Sequence, residues 1–333
     1  MKNPTTRIIK TISIFTLFVC ILTPLFSKEG HPSDQPLQIG SSSITFTGLP
    51  SDFLYPSYLA DPLAVRSEIS YKSLLINEVN PTQEGQGGRF DIVLGARFSF
   101  LRFSPLSNPD LGLEMDWGMA LPVYMNSKQN DLLALDGIYY FSLGIRPLNW
   151  LAFRISRHHI CTHVGDELDR DGDGGEYFDY DPSVNANISI FVRDDYLFSA
   201  AFEPMKLFKD NYPLSILLYG DISIFIHGFD LLGNRNNKSS DHAYIWFQGG
   251  AEFRYDISQK HNAGQLFAAG QISAWQITGY VPNYSFQAGY ILPPGRKGQQ
   301  YKFAFTYYDG QSIINNFIYR RERYMGALLT IER

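Results

Sequence analysis

The chain has 333 residues, of which 44% are apolar, 15% aromatic and 18% charged, with a formal charge of −5. Soluble domains average about 25% charged residues, so this composition excludes disorder, a coiled coil and a collagen-like rod. The acidic balance excludes a nucleic-acid binder, because no basic excess is available to neutralise phosphates.

At the start, Lys2, Arg7 and Lys10 precede an apolar run from Thr11 to Phe26, and Ser27, Lys28 and Glu29 follow. That order predicts a secretory signal peptide over 1–27; the run, about 16 residues, is short for a membrane-spanning helix. Cys20 opens a lipoprotein alternative, against which stand the bulky Val19 before it and the apolar stretch behind it. Removing the three basic residues takes the charge to 25 − 33 = −8 and leaves Cys161 as the sole cysteine, so no internal disulfide can form. Residues 28–66, with Pro32, Pro36, Pro50, Pro56 and Pro62, read as an extended periplasmic lead-in.

From residue 67 to 333 the pattern is alternation. Phe90, Ile92, Leu94, Ala96, Phe98 and Phe100 oppose Asp91, Gly95, Arg97 and Ser99. Leu113, Met115, Trp117, Met119, Leu121 and Val123 oppose Gly112, Glu114, Asp116 and Gly118. Tyr139, Phe141, Leu143 and Ile145 oppose Asp136, Ser142, Gly144 and Arg146. No run beyond Ser27 reaches the 18 or so apolar residues of a spanning helix, and repeated segments of about 10 alternating residues are the mark of a transmembrane barrel. A soluble sandwich also alternates, but its inward face does not repeatedly oppose charge and glycine. Twelve strands are predicted: 67–76, 89–104, 111–124, 134–146, 150–163, 184–204 with a bulge at Asp194-Asp195, 214–228, 242–256, 264–276, 284–292, 300–309 and 323–332. Tyr124, Trp150, Tyr196, Trp275 and Tyr324 fall near segment ends, where aromatic girdles lie. Short connections alternate with long ones, which assigns turns to the periplasm and loops, including 164–183 and 310–322, to the outside. The fold class is thus all-β, a transmembrane antiparallel β-barrel of about twelve strands in the outer membrane of a Gram-negative-type bacterium. Charges of both signs on the inward face pair and fill a small lumen, or leave a wider one partly wet.

Two clusters carry candidate chemistry. Leu151, Phe153 and Ile155 mark the apolar face of strand 150–163, and His159, Cys161 and His163 continue that face unless a bulge at Arg157-His158 turns Cys161 inward. The three could also hold Zn²⁺, or serve only to anchor the next loop. That loop holds Asp169, Asp171 and Asp173 followed by Gly174, the carboxylate positions 1, 3 and 5 and the turn glycine of a Ca²⁺ loop. Tyr180 stands where a bidentate Glu belongs, so Asp179 or Asp181 would have to replace it. The alternative is a solvated acidic loop linked to lipopolysaccharide through divalent ions.

Three segments carry a resemblance. They are Leu49 to Pro56 with Leu59-Ala60-Asp61-Pro62, then His159-Ile160-Cys161-Thr162-His163-Val164-Gly165-Asp166-Glu167, then Tyr307 to Ser312 with Phe317 and Tyr324-Met325-Gly326. Together they resemble the bacterial outer-membrane family known as domain of unknown function 1207, which implies a surface barrel and brings no established activity. Where that family has Ser between the two His, this chain has Cys161. Locally, a His two residues from a nucleophile on a lipid-facing strand resembles outer-membrane phospholipase A and the lipid A deacylases. That resemblance implies Cys161 as nucleophile, His159 as general base and Asn187 or Asn185 as the group that orients it. Two functions follow: a structural or mildly permeable surface barrel, or a lipid acyl hydrolase assisted by Ca²⁺. The expected partners are outer-membrane lipids, lipopolysaccharide and the barrel assembly machinery.

Overall fold

In the computed structural model the described residues are 37–38, 44–78, 88–125, 132–164, 189–208, 212–232, 245–258, 263–293 and 299–332. The expected signal peptide, the acidic loop and Asn187 lie outside them.

Two short strands, β1 (Leu37–Gln38) and β2 (Ile44–Gly48), precede twelve long ones. These are β3 (Ser67–Asn77), β4 (Gly88–Pro105), β5 (Gly112–Met125), β6 (Leu132–Leu148), β7 (Leu151–Val164) and β8 (Ser189–Phe202). They continue with β9 (Leu214–Leu232), β10 (Ile245–Asp256), β11 (Gln265–Trp275), β12 (Pro282–Ile291), β13 (Gln300–Gln311) and β14 (Arg321–Glu332). Each pairs antiparallel with the next, and β14 pairs with β3, so the sheet closes into a barrel without edges. All twelve predicted strands are present.

The wall has two unlike faces. Phe153, Phe141, Phe198, Ile222, Phe247, Phe286 and Phe305 point outward and form an apolar belt, the exterior that a membrane-spanning barrel presents to lipid. Inward stand charged residues, many of them in pairs. Arg97 makes a two-pronged contact with Asp116, at 3.0 Å for each prong. Arg89 and Lys72 share Asp91, each at 2.7 Å, while Arg193 meets Asp195 and Arg254 meets Glu252. Matched pairs of this kind offset the cost of burying charge, which a lone ion would leave standing. Tyr124, Trp275 and Tyr324 correct the girdle assignment. They belong to the inner face and are buried at 1%, 8% and 2% exposure, and the Tyr124 ring lies under the Arg89 guanidinium, with its hydroxyl donating to Glu322.

Among the described residues, two segments enter the lumen, one from each end. Call the end that carries the 165–188 connection the loop end and the opposite one the turn end. At the turn end β2 continues the sheet beside residues 101–105 of β4, and Leu49 then turns through a positive φ of 52°. Residues 50–66 run inside the barrel, so the segment expected as an extended lead-in is in part a cork. With three prolines and no strand partner, its backbone groups need acceptors and donors from elsewhere. The wall supplies them. Glu114 accepts from Leu54 N, Glu252 accepts from Leu59 N, Arg146 donates to Leu54 O and Arg97 donates to Tyr55 O. The Tyr58 ring stacks on Tyr219 at 3.6 Å, and its hydroxyl donates to Asp221. Burial pushes the Tyr55 and Tyr58 phenols above their ordinary range, so both stay neutral.

From the loop end, residues 312–320 fold inward around a short 3₁₀ turn, Asn315–Phe317, where an outer loop was expected. Ile314 and Phe317 are fully buried, and Asn315 donates twice to Asp136, from its backbone N at 3.0 Å and its side chain at 2.7 Å. The two corks meet at Leu63, which packs against Ile313 and Ile318 clusters alike. Beside them remain cavities of ≈ 70 Å³ and ≈ 20 Å³. At about 10–15 Å³ for each water centre, these have room for a few waters.

Candidate active site

Register places the site on the outer wall near the loop end. The β6–β7 ladder is unbroken from Phe153 to Val164, so no bulge interrupts Arg157-His158 and the alternation carries through. Ser156, Ile160 and Thr162 are buried in the lumen, whereas Arg157, His159, Cys161 and His163 face out, as expected.

Across the strands the residues form a grid. In one row Phe141, Arg157 and Tyr196 lie side by side; in the next, Tyr139, His159, Asp194 and His227; in the third, Gly137, Cys161 and Val192. His159 Nδ1 lies 2.8 Å from Asp194 Oδ1, and its ring stacks on Tyr139 with centroids 4.7 Å apart. A carboxylate only accepts, so Nδ1 carries the proton and Nε2 is left as the basic nitrogen. Asp194 Oδ2 lies 3.8 Å from Arg157 Nη2. Cys161 Sγ is 3.7 Å from the Gly137 carbonyl, to which it donates. Gly137 makes room for the thiol, since a Cβ there would sit 2.9 Å from the sulfur.

The bulge expected at Asp194-Asp195 occurs, but its extra residue belongs to the neighbouring strand. Asp194 faces His227 and Asp195 faces Phe225, which leaves Ile226 of β9 unpaired. The slip brings His227, which is exposed, opposite Asp194.

Asp194 is the functional candidate that the sequence reading placed at a bulge and gave no role. Asn187, the expected orienting residue, and Asp169, Asp171, Asp173, Asp179 and Asp181 lie outside the described residues. A zinc site at His159, Cys161 and His163 is not formed. On a strand, side chains four apart are separated by about 13 Å, and among the described residues no three His, Cys, Asp or Glu side chains converge on a metal position.

No family model and no curated protein matches the chain, so the family resemblance rests on its three segments alone. Within the described residues those segments form the turn-end cork, the site strand as far as Val164, and the strand end and cork at the loop end. Among solved structures the barrel is similar to outer membrane phospholipase A from Escherichia coli (TM-score 0.43, 11% identity, 80% of this chain and 92% of that one). It is also similar to LpxR from Salmonella typhimurium (TM-score 0.35, 12% identity, 80% and 100%) and to the toluene transporter TodX of P. putida (TM-score 0.28, 9% identity, 88% and 78%).

Proposed function

We propose that this chain is an outer-membrane β-barrel that works on its lipid-facing surface, as a hydrolase of lipid acyl esters. The observation that carries the reading is the 2.8 Å contact between His159 Nδ1 and Asp194 on the apolar outer wall, with Cys161 two residues along the same face. A histidine held by a carboxylate beside a thiol is the arrangement that nucleophilic acyl transfer requires.

In the proposed reaction, the Cys161 thiol leaves the Gly137 carbonyl and gives its proton to His159 Nε2. The thiolate attacks the ester carbonyl, the alcohol leaves with the proton from the imidazolium, and a thioester forms. Water, deprotonated by His159, cleaves the thioester, releasing fatty acid and restoring the thiol. Asp194 holds the tautomer and balances the transient imidazolium. The acidic loop follows directly on β7, and Ca²⁺ held by Asp169, Asp171 and Asp173 with Asp179 or Asp181 would supply positive charge for the oxyanion.

A surface barrel without chemistry is the second reading, favoured by the thiol's bond to Gly137. The two corks weigh against permeation. The test is release of fatty acid from phospholipid by the refolded barrel, with and without Ca²⁺. Wild type and Cys161→Ser release it, while Cys161→Ala and His159→Ala do not; equal release by all four, or release by none from a folded barrel, overturns the hydrolase reading.

A further inference from the structure

The outer wall carries a cation that the fold leaves almost bare. Arg157 is 64% exposed and lies in register between Phe141 and Tyr196, which are themselves exposed in the lipid-facing belt at 57% and 42%. An arginine on this face is costly at the membrane midplane and nearly free near the headgroups. Its long stem lets the guanidinium reach the headgroup level, two residues below His159.

Its ion pair with Asp194 runs through Nη2 at 3.8 Å, beyond hydrogen-bond length, and the other carboxylate oxygen is committed to His159. A guanidinium has five N–H donors in a planar fork. Apolar neighbours and lipid tails offer no acceptors, whereas phosphate oxygens match the fork. On the far side of Asp194, the Ile226 bulge presents exposed His227 as a second donor.

We infer that Arg157, with His227, binds the phosphate of a glycerophospholipid, and so holds the acyl ester of that lipid beside Cys161. One arginine and one histidine suit a single phosphate. Arg157 is the principal donor of the site and His227 the second, and binding does not depend on turnover; its use in substrate selection rests on the hydrolase reading.

Native mass spectrometry of the intact barrel released from detergent, with phosphatidylglycerol, diacylglycerol or lipid A added, tests this. Wild type retains phosphatidylglycerol and not diacylglycerol. Arg157→Gln lowers that retention at least fivefold, Arg157→Lys recovers part of it, and His227→Gln lowers it about twofold. Heat-modified gel mobility checks that each variant is folded. Equal retention of phosphatidylglycerol by wild type and Arg157→Gln overturns the inference. So does equal retention of diacylglycerol by wild type, or a response to Arg157 confined to lipid A. Arg157-dependent retention without fatty-acid release would sink hydrolysis and leave the binding site standing.

Discussion

The inner and outer walls of this barrel use charge in opposite ways. Inside, Arg97, Arg89, Lys72, Arg193 and Arg254 each have a carboxylate at 2.7 to 3.0 Å, while Glu114, Glu252 and Arg146 tie down irregular backbone in the turn-end cork. Outside, a polar island of Arg157, His159, Cys161, Asp194 and His227 sits in an apolar belt. These paired inner charges complete one another and so act as scaffold. The outer ones leave donor and acceptor capacity facing lipid, where structure gains little from it and chemistry can use it.

Substitutions on the two walls therefore separate stability from activity. The largest effect is expected at Cys161→Ala, which lowers fatty-acid release about 10³-fold or more with unchanged urea unfolding in vesicles; retained release would move the chemistry elsewhere. Next, Arg97→Met leaves Asp116 buried and unpaired and costs about 3–5 kcal/mol in the same unfolding assay. A loss under about 1 kcal/mol would mean the inner pairs are wet and dispensable. Asp194→Ala frees the imidazole and lowers release about 10²-fold with a small change in stability, the reverse of the Arg97 pattern. Gly137→Ala pushes the Cys161 sulfur from its place; release falls about tenfold, equivalent to about 1.4 kcal/mol, and the rate of thiol alkylation changes with it. Smallest of all, Ile222→Val on the belt alters stability by less than about 0.5 kcal/mol and leaves release intact.

The strands were legible because alternation is a local property. Phe90 to Phe100 and Leu113 to Val123 place their own side chains on two faces without reference to the rest of the chain. The outward setting of His159 and Cys161 followed from the same parity, and the break in register at Asp194 from two adjacent carboxylates in an alternating run. The corks were not legible, since their stability comes from distant wall residues. Leu59 depends on Glu252 and Asn315 on Asp136, 193 and 179 positions away. Tyr124 and Tyr324 look like girdle residues by their place near strand ends, yet they share a face with Asp116 and Glu322 and turn inward. The pairing of His159 with Asp194 required the register of β7 against β8, which the long 165–188 connection leaves free to vary.

The most direct test of the division between scaffold and working surface is to trap the acyl group. Refolded barrel is mixed with a phospholipid, quenched in acid within seconds and digested, and the Cys161 peptide is weighed. The account predicts a mass increase equal to one fatty acyl chain on Cys161 in wild type, absent in Cys161→Ala and reduced in His159→Ala. Fatty-acid release with no acylated Cys161, or acyl found on a residue of the inner wall, would contradict it.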